Sequence, residues 1–138
     1  MRPITTFRGV VAPDDCDYPG NINVSRYFTA CSGGIFAIQS KLGLSAGGKQ
    51  GRKLSLVEAH TMMDFDAELS LGDAMCIETS ISEIDTKLIT INHELIRCHD
   101  ELVAFSAVFK YMLFDSATRR ATPFPHELCE QVSSWIDT

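Results

Sequence analysis

At 138 residues, with 45% hydrophobic and 22% charged side chains, the chain has the composition of a soluble globular protein and is expected to form one domain over residues 1–138. A net charge of -6 without a basic run argues against nucleic acid and membranes as partners. The N-terminal letters MRPITTFRG lack an apolar signal region and no segment reaches membrane-spanning length, which points to the cytoplasm; the 5 cysteines show no paired C-x-x-C spacing, so neither a disulfide framework nor a metal site is indicated.

In chain order, residues 4–11 form a β-prone run, with Thr5, Thr6, Phe7, Val10 and Val11, stopped by Pro13. An acidic loop containing Pro19 and Gly20 then runs into a long helical pattern over residues 24–42. Asn23 is a good N-cap, because its side chain can accept from the free N–H groups of the first turn. Val24, Tyr27, Phe28, Cys31, Ile35, Ile38 and Leu42 recur at helical spacing, and Phe36 and Ala37 widen the stripe, so this helix has to be covered over much of its surface. Gly43 supplies the left-handed conformation that ends a helix, and Lys41 suits the negative end of the dipole.

Residues 45–52, glycine-rich with Lys49 and Arg52, read as a flexible loop able to serve as a lid or a ligand contact. Residues 53–65 read as one long strand, with Val57, Ala59, Met63 and Phe65 on one face and Leu56, Glu58, His60 and Met62 on the other. After a turn at residues 70–73, strands over 74–84, 87–99 and 102–114 form an antiparallel meander, the last two joined by the two residues Asp100 and Glu101. The prolines at 123 and 125 argue against ladder pairing in residues 116–125, and the chain closes on a short amphipathic helix over 126–136. The economical packing lays the long helix across one face of a single antiparallel sheet. That leaves the other face and the edges open, so a homodimer or homotetramer is expected.

The order of these pieces carries a resemblance. D-Y-P-G-N-I-N-V-S-R-Y opening the helix, then V-E-A-H-T-M-M-D-F, L-G-D-A-M-C-I-E-T and L-V-A-F-S-A-V-F, resemble the hot-dog acyl-CoA thioesterases of the 4-hydroxybenzoyl-CoA thioesterase type over nearly the whole chain. The most specific part is an aspartate, a glycine and a tyrosine at the spacing of Asp17, Gly20 and Tyr27. The wording C-D-Y-P-G-N-I-N-V is most similar to the betainyl-CoA thioesterase-like subgroup; Asn21 stands where many relatives carry histidine. The resemblance implies an α+β hot-dog fold, a sheet wrapped around a central helix, and hydrolysis of an acyl-CoA or acyl-carrier-protein thioester. CoA would then be part of the substrate, with no separate cofactor.

Thioester hydrolysis needs an attacking oxygen and donors for the oxygen that becomes negative. Asp17 suits the first as nucleophile or base, since the helix dipole behind it favours a carboxylate; the free N–H groups of the helix start, at Asn23 and Val24, suit the second. Gly20 lets the loop approach the thioester. The resemblance assigns these positions to the nucleophile or base, the tight turn and the oxyanion contact. Asn21 and Tyr27 belong to the same loop and helix start. Ser32 lies where many relatives carry an acid, and Glu58 and His60 are expected to share a strand face beside a pocket. Mid-helix Gly33 and Gly34 imply close approach by a strand side chain, a partner helix or a pantetheine arm. Lys49, Arg52, Lys87, Arg97, Arg119 and Arg120 are available for the CoA phosphates. The alternative reading is a non-hydrolytic hot-dog module that binds acyl thioesters or acts in assembly.

Overall fold

The computed structural model describes residues 1–17, 20–44 and 54–137. Tyr18 and Pro19 at the loop tip, and the glycine-rich segment with Lys49 and Arg52, lie outside the described residues. Strand β1 (Ile4–Val10) is followed by a short turn, by the two-residue strands β2 (Cys16–Asp17) and β3 (Asn21–Ile22), and by helix α1 (Val24–Lys41). Then come β4 (Leu54–Phe65), β5 (Ala74–Ile84), β6 (Ile89–Arg97), β7 (Leu102–Asp115), β8 (Arg120–Thr122) and helix α2 (His126–Ile136).

The main sheet has the order β1-β5-β6-β7-β4, with β8 added to β7. The pairings are antiparallel. The meander of β5, β6 and β7 forms as the turn signals predict, while β4 crosses to the far side of β7. One face carries Ile77, Ile81, Ile91, Leu95, Phe105, Phe109 and Leu113, all buried, and α1 covers this face with Tyr27, Ala30, Cys31, Gly34 and Ile38. Alternation of large apolar and polar residues along each strand produces this result: one set of side chains faces the helix, and its neighbours face out.

Helix α1 begins and ends where its capping residues dictate. The Asn23 side chain accepts from the Ser25 N–H, and Gly43 adopts φ 74 just past the last turn. The wide apolar stripe is only partly covered: Val24, Phe28 and Phe36 remain 55%, 42% and 69% exposed. These three lie off the row that meets the sheet, so the described residues by themselves do not wrap the helix.

Four local expectations need correction. Ala59 is an extra residue in β4, because Glu58 pairs with Tyr111 and His60 with Lys110. Such a bulge reverses the alternation beyond it, so Glu58 and His60 point to opposite faces, and Met63 and Phe65 join Leu56 and Glu58. The β6–β7 connection is four residues, 98–101, closed by the Glu101 N–H to the Arg97 carbonyl. Glu101 takes φ 60, the conformation that a glycine would otherwise supply. Residues 120–122 pair with β7 despite the nearby prolines, since Pro123 falls just after the ladder ends. Finally, the loop before α1 contains its own two-stranded hairpin.

Candidate active site

The acidic loop is tied into shape by its own polar groups. Asp15 Oδ2 accepts from the Ala12 N–H at 2.9 Å, and the Asp15 carbonyl accepts from the Asn23 N–H at 2.7 Å. Arg26 reaches back from α1 to donate to the Asp14 carbonyl at 3.0 Å, with its Nε 3.7 Å from Asp15 Oδ1. Between these ties β2 and β3 pair, Cys16 opposite Ile22 and Asp17 opposite Asn21. The Gly20 N–H closes the turn onto the Asp17 carbonyl at 2.7 Å, and Gly20 has φ 116, which a side chain would strain.

This hairpin is docked on the turn before β5. Asn21 bridges to Ser70, the Gly72 N–H donates to the Val11 carbonyl, and the Val11 N–H donates to the Asp73 carbonyl. The Asp17 side chain is thereby brought next to the start of α1. Its Oδ1 accepts from Asn23 Nδ2 at 2.7 Å, while Asn23 Oδ1 accepts from the Ser25 N–H at 2.8 Å and the Ser25 hydroxyl at 2.7 Å. The N–H of Val24, in the first turn, has no intrahelical carbonyl to bind. A carboxylate and the positive end of an 18-residue helix therefore meet at one place.

A cavity of about 290 Å³ opens there, lined by Asn21, Ile22, Val24, Tyr27 and residues 65–69. Tyr27 is 5% exposed, its ring tilted on Phe105 at 4.7 Å and edge-on to Phe65 at 5.2 Å. Burial raises its phenol pKa, and the nearby charge of Glu68 adds to the shift. Tyr27 thus forms the apolar floor of the cavity. Asp66 and Glu68 on its wall were not singled out by the sequence reading; the only signal is their position just past a long strand.

A second groove, about 380 Å³, runs between α1 and the strands β4 and β7, lined by Phe28, Cys31, Ser32, Ile35, Phe36, Gln39, Ser55, Leu56, Glu58, Phe109 and Tyr111. Ser32 donates to the Phe28 carbonyl at 3.0 Å within the helix. Glu58 lies opposite Tyr111, and the Tyr111 phenol pKa is raised first by burial, then by the Glu58 charge and by Cys31. Burial pushes the Cys31 thiol up to about 12, so it stays protonated at neutral pH.

The candidate residues divide accordingly. Asp17, Gly20, Asn21, Asn23, Val24 and Tyr27 gather at the helix start, Ser32 and Glu58 face the second groove, and His60 lies on the other side of the sheet. Arg97 is engaged internally, bound to Asp100 at 2.6 Å and to the Glu68 carbonyl at 2.7 Å. Among the described residues no group of three or more His, Cys, Asp or Glu side chains comes together to hold a metal, and no helix is long and apolar enough to cross a membrane.

The sequence profile of the thioesterase-like superfamily matches residues 11–132. A search of curated proteins finds no match. Among solved structures the chain is similar to a hypothetical protein of Staphylococcus aureus in complex with CoA, with 20% identity and a TM-score of 0.85 over 99% of this chain and 87% of that one. It is also similar to a thioesterase superfamily protein from Jannaschia sp. CCS1, with 15% identity and a TM-score of 0.79 over 96% of this chain and 82% of that one. A 1,4-dihydroxy-2-naphthoyl-CoA thioesterase from Synechocystis gives 17% identity and a TM-score of 0.76 over 99% of this chain and 98% of that one. At such identities the likeness is one of fold, and the fold is the hot-dog: a long helix against one antiparallel sheet.

Proposed function

The chain belongs to the thioesterase-like superfamily; we propose that it is a thioester hydrolase, that its substrate is a small or medium acyl group carried on CoA or on an acyl-carrier protein, and that Asp17 supplies the attacking oxygen. The observation that carries this reading is the meeting of the Asp17 carboxylate with the start of α1 beside a cavity of about 290 Å³. A thioester carbonyl placed in the cavity mouth would have an oxygen nucleophile or a base on one side. Its developing negative charge would face the Val24 N–H and the helix dipole.

Two routes use the same residues. Asp17 can attack the carbonyl carbon directly, expelling the thiolate and leaving an anhydride for water to open, or it can take a proton from the water that attacks. Either way the products are the free acid and the thiol.

The acyl group belongs in the second groove. Its walls are mostly apolar and aromatic, with one carboxylate, Glu58, facing in. Phe28, Phe36, Phe109 and Tyr111 around a negative charge suit a cationic acyl substituent, because ring faces and a carboxylate both attract a quaternary ammonium. The betainyl-CoA-like wording of the loop supports the same choice. Among the described residues no strand pairs with the outer edge of β4, and together with the exposed Phe28, Phe36 and Phe65 this supports assembly as a homodimer or homotetramer.

The test is thiol release from a panel of acyl-CoA and acyl-carrier-protein esters by wild type and Asp17→Asn. Wild-type turnover should fall roughly a hundredfold in the variant, the scale of losing a positioned acid–base group, while CoA-ester binding and the melting temperature persist. Binding without thiol release by wild type would instead mark a non-hydrolytic acyl-thioester module.

A further inference from the structure

Asn23 has two jobs at once, and its amide can perform them in only one orientation. On one side stand the N–H and the hydroxyl of Ser25, at 2.8 and 2.7 Å from the same Asn23 atom. The backbone N–H is only a donor, so that atom must be the carbonyl oxygen, Oδ1. On the other side stands the Asp17 carboxylate, which when ionised only accepts, so the atom facing it at 2.7 Å must be the NH₂ group. The two constraints are independent, and they agree. The Ser25 hydroxyl strengthens the choice by donating to the same oxygen.

The capping bond and the carboxylate bond therefore fix each other. A helix cap alone would be served equally by serine or aspartate, and neither offers a donor of asparagine's reach. Asparagine caps the helix and also presents an N–H to an acidic residue six positions earlier. Because the cap is locked to the first turn of α1, the carboxylate is locked to that turn as well, and hence to the N–H groups available to an oxyanion. Gly20 and the Asp17–Asn21 pairing hold the Asp17 backbone, so the Asn23 contact is what sets the direction of the side chain.

We propose that Asn23 is the positioning residue of the site, with Ser25 selecting the amide orientation that aims one oxygen of Asp17, Oδ1, at Asn23 and leaves the other, Oδ2, to the thioester. This rests on Asp17 as the source of the attacking oxygen. Losing the Asn23–Asp17 hydrogen bond should lower kcat more than it changes KM, because the contact aims the carboxylate at the reacting carbon and does not hold the substrate.

The experiment uses variants that keep the cap and lose the reach. Asn23→Ser retains a good N-cap, so the melting temperature should stay close to wild type, while kcat/KM falls roughly tenfold, the scale of a hydrogen bond to a charged group. The loss should fall on kcat, with KM little changed. Asn23→Asp also caps, but places a like charge against Asp17 where a donor stood, and should lower kcat more. If both variants keep the wild-type kcat and KM, Asn23 is a cap only and the proposal is overturned. A lowered melting temperature with an unchanged kcat would overturn it equally. Asp17→Asn run beside them separates the two levels: an active Asp17→Asn removes the catalytic reading itself, whereas an inactive one with unaffected Asn23 variants removes only the positioning role.

Discussion

Gly34 lies directly against the imidazole of His93: a Cβ on that glycine would stand 2.8 Å from the ring Cε1 and 2.8 Å from Thr79 Oγ1. The histidine is 1% exposed, edge-on to Phe109 at 5.2 Å, and its Nδ1 is 2.9 Å from Thr79 Oγ1. The ring has no free direction in which to yield. Gly34→Ala should therefore lower stability by roughly 1–3 kcal/mol as an overpacking change, although alanine is intrinsically the better helix former. Gly33 gives the contrast, because its Cβ would meet only the Thr6 carbonyl at an ordinary 3.7 Å. Gly33→Ala should raise stability by up to about 1 kcal/mol. Urea melts of the two variants decide the matter, and equal shifts would mean that the space over Gly34 is not filled.

His93 makes stability depend on pH. Burial pushes its pKa down from 6.5 to about 4, and Nε2 is buried without a partner among the described residues. Between these two values the unfolded chain binds a proton at this site that the folded chain refuses. Stability is then complete above about pH 6.5 and falls as the pH is lowered to about 4, with no further loss from this group below that. The full effect is about 3 kcal/mol. Chemical denaturation at intervals between pH 7 and 4 should show the fall, and His93→Gln should flatten it; an unchanged slope in that variant would assign the loss to other groups.

Much of this was legible in the letters because local signals and burial agreed. Asn23 before an apolar stripe and Gly43 after it set the ends of α1, and the turn residues placed the β5–β7 meander. The tight packing implied by two mid-helix glycines is real at Gly34, where the visitor is a strand side chain. What escaped notice depends on pairing between distant segments. Ala59 looks like any other strand residue until β7 sets the register, so Glu58 and His60 seemed to share a face. Asp66 and Glu68 gain a place on the cavity wall only when the end of β4 meets the start of α1. Among the described residues only one of the His93 nitrogens is paired, and the alternation of apolar and polar letters says nothing about the second.

Assembly is the outcome expected from what the described residues leave open. β4 pairs with β7 on one side, and among the described residues no strand occupies its other edge. Phe36 at 69%, Met62 at 57% and Phe65 at 51% exposure are further apolar surface around that edge. Light scattering at micromolar concentration should give the mass of a dimer or tetramer. A mass of one chain would show that these side chains stay in water and that the substrate groove is complete within one subunit.

Glu58 is the residue on which the choice of acyl group can be tested without disturbing Asp17. It lies opposite Tyr111 on β7 and faces a groove whose other walls are largely apolar, so its charge is the main electrostatic feature that an acyl substituent would meet there. Glu58→Gln keeps the shape and removes the charge. For betainyl-CoA, kcat/KM should fall roughly tenfold, the scale of one ion pair at the partly solvated dielectric of a groove. For 3,3-dimethylbutyryl-CoA, in which a neutral carbon replaces the ammonium nitrogen, it should stay the same or rise. The change should fall mainly on KM, because a remote charge contact is made in the ground state as well as the transition state. Steady-state kinetics with the two esters, beside a thermal melt to confirm folding, measure the ratio directly. If the variant loses both substrates equally, Glu58 shapes the groove without reading charge; if it loses neither, the acyl group lies elsewhere, and the cavity at the start of α1 is the next place to look.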